Sequence, residues 1–149
     1  MRETNDEQKY IFGSLFLLAN KLQVKGDQML GDDGMTLRQW FLTVMILQFK
    51  EQSPTLGEVA NLMGTSHQNV KQLAKKLEEK QFLTFTKDAQ DGRIVRLQLT
   101  ELSRDYWSRR EGDGDRFIEK LFLNVSDEEI RTTISTFNKL FEALESWEE

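Results

Sequence analysis

The sequence predicts an α+β fold that is mainly helical, and three observations carry that expectation. Apolar residues recur at three- and four-residue steps near both ends of the 149-residue chain, a stretch of period-two alternation lies between them, and proline is confined to Pro54. With 38% hydrophobic and 30% charged side chains, including ten Phe, three Trp and two Tyr, the chain suits one compact domain or two small units sharing a core.

Thr4 and Glu7 have capping-box spacing, and Ile11, Leu15, Leu18 and Leu22 then form one stripe of a long first helix, expected to end within residues 26–34. Thr36 and Gln39 repeat the capping signature ahead of Trp40, Phe41, Val44, Met45 and Leu47. The second helix is therefore apolar over much of its circumference and is expected to lie in the core. Ser53, Pro54 and Thr55 mark a turn and a helix start, and Leu56, Val59, Ala60 and Leu62 form a short third helix stopped by Gly64. Ser66 caps a fourth helix. Val70, Leu73 and Leu77 face inward on it, which leaves His67, Gln68, Asn69, Lys71, Gln72, Lys75 and Lys76 on the mostly solvent-facing surface.

The period then changes. Residues 83–86 and 94–99 read as strands of a β-hairpin around a polar turn at 88–92. Thr100 opens a fifth helix through Leu102, Tyr106 and Trp107, which Gly112 and Gly114 are expected to interrupt or bend before Phe117, Ile118, Leu121 and Phe122 resume it. Ser126, with Glu129 three residues later, starts a last helix. Its Ile130, Ile134, Phe137, Phe141 and Leu144 have the spacing of a heptad seam.

Composition excludes several chemistries. Without cysteine the chain has no disulfide, thiolate metal site or cysteine nucleophile, and a single histidine, His67, argues against a zinc centre. Glu111, Asp113, Asp115, Phe117 and Glu119 alternate like a calcium loop, but Arg116 occupies the glycine position and Phe122 that of the closing glutamate. The carboxylates lack an adjacent nucleophile, and no glycine-rich phosphate loop is evident, so no catalytic set, cofactor or metal is expected and the chain does not read as an enzyme. No apolar run reaches the roughly 18 residues of a membrane span, and the acidic start at Glu3, Asp6 and Glu7 is unlike a cationic export signal. The expected compartment is the cytoplasm.

The net charge of −5 conceals a polarity. Residues 66–96 carry seven basic groups against four acidic ones, a balance of +3, while the rest of the chain carries 13 against 21, a balance of −8. A short helix, a glycine-containing turn, a second helix with a basic polar face and then a hairpin is the order of a winged helix-turn-helix. Ser66, His67, Gln68 and Asn69 would offer polar atoms to base edges in a major groove, with Lys71, Lys75 and Lys76 toward phosphates. The same residues also suit a solvated amphipathic helix beside a structural hairpin, and the pattern alone leaves both readings open.

Six stretches in their order and spacing resemble the MarR family of bacterial transcriptional regulators. They are Leu37-Arg38-Gln39-Trp40, Leu56-Gly57-Glu58-Val59-Ala60, Ser66 followed by Val70, Leu77-Glu78-Glu79-Lys80 before an apolar strand, Asp91-Gly92-Arg93, and Leu99-Thr100. The resemblance implies a DNA-binding homodimer on a two-fold operator, often released by a small aromatic ligand. It further implies a recognition helix from Ser66 to about Lys80, on which the residue types themselves make Gln68, Asn69 and Gln72 candidate base readers and Lys71, Lys75, Lys76 and the wing's Lys87 the source of phosphate attraction. In the wing, Asp91 would orient Arg93 toward DNA through a salt bridge. The chain departs from the family at Gln81 and Ser103, where glycine is common, and in a wing poor in arginine.

On this reading residues 1–34 form an N-terminal dimerisation helix and linker, 35–100 the winged core, and 101–149 C-terminal dimerisation helices. The seams Ile11/Leu15/Leu18/Leu22 and Ile130/Ile134/Phe137/Phe141/Leu144 would supply the shared interface. Phe12, Phe16, Trp40, Phe41 or Trp107 would line an effector cleft, although most such aromatics are core filler and no ligand residue is assigned. The alternative is a winged-helix protein-interaction module that does not bind DNA.

Overall fold

The computed structural model describes residues 2–147. Helix α1 (Arg2–Leu30) leads through a 3₁₀ turn (Gly31–Asp33) into α2 (Leu37–Leu47), α3 (Leu56–Met63) and α4 (His67–Glu79). The hairpin strands β1 (Leu83–Lys87) and β2 (Val95–Leu99) follow, then α5 (Glu101–Leu121) and α6 (Asp127–Glu145). The mainly helical α+β class and the winged helix expected from the sequence are what the chain forms. It divides into two compact units, residues 1–105 and 106–149. No helix among the described residues is long and apolar enough to cross a membrane.

Two of the expected capping signatures, at Thr36 and Ser126, close as hydrogen bonds, and Thr55 at the expected helix start forms a third. At Thr36/Gln39, Thr55/Glu58 and Ser126/Glu129, the hydroxyl accepts from the third residue's backbone N–H and that residue's side chain accepts from the cap's own N–H. Thr4 and Glu7 do not cap α1, because the helix already includes them. The polar residues before Ile11 contain neither glycine nor proline to stop it.

The far end of α1 falls within the expected residues: the helix passes through Gly26 without a break and ends at Leu30. Gly26 is needed for close packing: a Cβ there would lie 2.7 Å from Leu37 Cδ1. Nor do Gly112 and Gly114 break α5, which is continuous from Glu101 to Leu121. A helical glycine costs about 1 kcal/mol relative to alanine but keeps its N–H, and Arg116 bridges back to Asp113 across this turn.

The core of the first unit is formed by α2, α3, α4 and the hairpin. Leu42, Val59, Val70, Leu77, Leu83 and Leu97 are fully buried. Helix α2 turns inward a different face from the one its aromatics suggested. Gln39, Leu42, Thr43 and Ile46 are buried, whereas Trp40, Phe41 and Leu47 remain exposed. The polar pair is satisfied locally, with Thr43 Oγ1 donating to the Gln39 carbonyl at 2.9 Å and Gln39 engaged in its capping box. On α4 the inward residues are Val70, Ala74 and Leu77, with Leu73 half-buried.

The strands pair antiparallel from Leu83 opposite Leu99 to Lys87 opposite Val95. A bridge from Thr55 to Arg96 and a 2.7 Å hydrogen bond from Leu97 N–H to the Pro54 carbonyl add a rung that ties the hairpin to the start of α3. Gln81, between α4 and β1, adopts φ 64°, the left-handed conformation that glycine would take without strain. The departure from the family residue has therefore not altered the turn. Phe82 N–H still reaches the Leu77 carbonyl at 2.9 Å, and Thr100 Oγ1 donates to the Gln81 carbonyl at 2.7 Å.

Candidate nucleic-acid interface

The turn between α3 and α4 is built on Gly64, whose φ of 67° places it in the left-handed region. Thr65 N–H closes onto the Ala60 carbonyl at 3.0 Å, and the chain re-enters a helix at Ser66, whose Oγ accepts from Asn69 N–H at 3.2 Å. Burial of Val70, Ala74 and Leu77 fixes the rotation of α4. Ser66, His67, Gln68, Asn69, Lys71, Gln72, Lys75 and Lys76 are consequently exposed, as the helical spacing of the inward residues predicted. No carboxylate lies in the first turn of α4; Glu78 and Glu79 come only at its end.

Besides the Ser66 hydroxyl, two of these side chains are already engaged. Asn69 Nδ2 donates to Thr65 Oγ1 at 2.9 Å, which orients the carboxamide and leaves its oxygen and second N–H for another partner. The His67 ring lies against Gly57, with Nε2 3.1 Å from where a Cβ would stand, so it braces α3 on α4 while remaining exposed. No cluster of three or more metal-ligating residues occurs among the described residues.

The hairpin carries the second part of the site. Asp88 N–H donates to the Ile94 carbonyl at 2.9 Å and closes the loop beyond β1. Inside that loop the Asp88 carboxylate accepts from the backbone N–H groups of Gln90 and Asp91 at 3.1 and 3.0 Å. Asp91 in turn accepts from Arg93 through its backbone N–H, Nε and Nη2, each at 3.1 Å. The Arg93 side chain is 92% exposed, so the pair holds its guanidinium out in solvent. This is the Asp91–Arg93 salt bridge that the resemblance implied.

The electrostatics follow the same contacts. The Arg96 guanidinium, helped by the Asp91 and Gln90 N–H groups, holds the Asp88 carboxyl below the ordinary carboxylate value. Arg93 does the same for Asp91, first through its side chain and then through its N–H. Ser126 N–H and hydroxyl lower Glu129 at the start of α6.

Three basic groups of the +3 segment are already occupied: Arg93 with Asp91, Arg96 with Asp88, and Lys80 with the Gly34 carbonyl and Gln39 Oε1. Lys71, Lys75, Lys76 and Lys87 are exposed and make no ion pair among the described residues. Sequence reasoning counted Arg96 only as charge and Asp88 only as a turn residue, and it missed Gln52 and Ser53 beside them. The Asp-x-x-Asp spacing of 88 and 91 was the available signal.

This core, residues 33–94, matches the MarR family model. The resemblance carried by the short motifs is therefore shown for the winged half of the chain. The MarR-type fold extends further. The chain is similar to a MarR/EmrR family transcriptional regulator from Acinetobacter sp. ADP1, at TM-score 0.80 and 18% identity, covering 94% of this chain and 98% of that one. It is similar to MepR from S. aureus in a MepR–DNA complex, at TM-score 0.78 and 21% identity, covering 91% and 96%. It also resembles the transcriptional regulator BldR from Sulfolobus solfataricus, at TM-score 0.77 and 15% identity, covering 93% and 96%. At these identities the likeness is one of fold. No curated protein sequence matches the chain.

Proposed function

We propose that the chain is a MarR-type transcriptional regulator that binds a palindromic DNA operator as a homodimer and is released by a small aromatic ligand. The observation that carries DNA reading is the pairing, within one unit, of a rigidly capped α4 exposing Gln68, Asn69 and Gln72 among unpaired lysines with a wing that extends Arg93. Helix α4 is narrow enough for a major groove, and its polar first turns carry base-reading side chains. Lys71, Lys75, Lys76 and Lys87 are the phosphate contacts, and Arg93 is the contact at the minor groove, where narrow A·T-rich stretches attract arginine. The DNA complex of the similar MepR supports this reading.

The homodimer rests on the apolar surface of the terminal helices. Of the seam residues, Ile11, Leu15, Leu18, Ile134, Phe137, Phe141 and Leu144 are exposed, while Leu22 and Ile130 are half-buried. A two-fold dimer would set its reading helices about 34 Å apart, one turn of DNA. The effector rests on the family resemblance, and no residue is assigned to it.

The test is titration of the full chain against its own upstream DNA and an unrelated duplex at two salt concentrations, with sedimentation to fix the oligomer. The expected result is a dimer that prefers one sequence and weakens steeply with salt, because few cations must hold a net anionic protein on DNA. A monomer, or equal affinity for both duplexes, would defeat the proposal. Phenolic compounds added to the complex would release the DNA if the ligand part of the reading is right.

A further inference from the structure

We infer that Arg96 is the positioning residue of the wing, fixing through a relay of hydrogen bonds where Arg93 points; the inference rests on the DNA-reading proposal above. Arg96 lies near the turn end of the hairpin, paired with Thr86 and on the strand face opposite the buried Leu97, and its side chain is only 18% exposed. A mostly enclosed guanidinium needs partners for its donors and charge, and this one finds them on three segments. Nε donates to Asp88 Oδ1 at 2.7 Å, Nη1 donates to the Ser53 carbonyl at 2.8 Å, and Nη1 lies 3.8 Å from Glu58 Oε1 in the first turn of α3. The Gln52 carboxamide abuts the same group, and the orientation that satisfies both turns its oxygen toward Arg96. The guanidinium therefore joins the wing, the segment before α3, and α3 itself.

The relay continues outward from this anchor. Asp88 Oδ1 is held by Arg96, while its Oδ2 organises the loop by accepting from Gln90 and Asp91 N–H. That turn places the Asp91 carboxylate, which grips Arg93 by both its backbone and its guanidinium. None of residues 88–94 is buried, so side-chain packing does not define the tip. Two backbone hydrogen bonds close it, from Asp88 to Ile94 and from Ile94 to Asp91, and the carboxylates supply the other hydrogen bonds that shape it. Arg96 itself has its donors turned inward, so it does not contact DNA. It acts on the groove through Arg93, and it ties the wing's posture to the helix preceding α4.

The chain has no cysteine, so a pair of spin labels at Asn61→Cys on α3 and Gly92→Cys on the wing reports wing posture without background. Arg96→Met keeps the aliphatic stem and removes the donors; Asp88→Asn is nearly isosteric and guards against a folding defect. Both should broaden the α3-to-wing distance distribution in the free full-length protein while helicity is retained. Each should also lower affinity for the preferred duplex about as much as Arg93→Ala does, roughly tenfold, and add little in the Arg93→Ala background. Loss of equal size with and without Arg93 would show a general structural role and overturn the inference, as would an unchanged distance distribution in both variants. If the unmodified chain binds no duplex, the DNA reading fails by itself, and the spin-label distances still decide whether Arg96 holds the wing.

Discussion

The winged half and the terminal helices treat their apolar side chains in opposite ways. In the winged half, Leu42, Val59, Val70, Leu77, Leu83 and Leu97 are sealed from solvent by neighbours in the same chain. Helix α6 buries no residue at all, and α1 leaves Tyr10, Phe12, Phe16 and Leu17 more than half exposed. Similar hydrophobic periodicity thus leads to a closed core in one region and to uncovered surface in the other. Apolar seams on regular helices need burial against something, and large contiguous patches of this kind mark association surfaces. The contrast is a division of labour in which the wing unit is closed by its own contacts, and it is the surface of the ends that the proposed dimer would cover.

The largest effect should come from breaking the closed side of that comparison. Leu77→Ala removes a fully buried side chain from α4 and should cost about 2–5 kcal/mol of stability, read as a shift in the urea unfolding midpoint. A cost below that of an ordinary surface substitution would mean that α4 is not seated on the core as described.

Next comes the open side. Phe137→Asp combined with Phe141→Asp should weaken self-association by about 2 kcal/mol or more while the helical signal of the winged core persists. Sedimentation of the variant at the same concentration as the parent checks this, and an unchanged oligomer would remove α6 from the interface.

A smaller and opposite effect is expected at Gln81, whose φ of 64° is the only positive value outside glycine among the described residues. Gln81→Gly relieves left-handed strain of about 1 kcal/mol, partly offset by the greater freedom of glycine in the unfolded chain, so thermal unfolding should rise slightly or stay level. A clear drop would show that the Gln81 side chain contributes contacts that outweigh its strain.

The most local effect concerns acid. Asp88 and Asp91 both have carboxyls lowered from an ordinary 3.8, so their ion pairs and N–H bonds stabilise the wing above that value and are lost as the pH falls through the depressed ones. Amide protection at Gln90, Asp91 and Arg93 should therefore hold down to about pH 4 and fade below it, before the core amides respond. Carbon-detected titration giving either carboxyl a midpoint at or above 3.8 would contradict the relay.

Much of this architecture was legible one segment at a time. Capping boxes at Thr36, Thr55 and Ser126, the stop at Gly64 and the period change after residue 82 are short-range signals, because a hydroxyl and a Gln or Glu side chain three residues apart reach each other's backbone N–H groups whatever the rest of the chain does. The exposed residues of α4 were legible for the same reason, since burying Val70 and Leu77 leaves the polar set only one direction to face. Errors appeared where a partner from elsewhere decided the outcome. Trp40 and Phe41 read as core until Leu42 and Ile46 are seen to hold that place.

The Arg96 node separates the two kinds of information most clearly. Its acceptors lie at residues 53 and 88 and its further ion-pair partner at 58, distances along the chain that no periodicity links. Residue types and their local spacing set which segments become helix, turn and strand, and which faces are polar, because those choices depend on hydrogen bonds and steric limits within a few residues. Which charges are consumed internally and which remain to meet a partner was settled only by folding, because desolvation and ion pairing depend on neighbours that the chain brings together from afar.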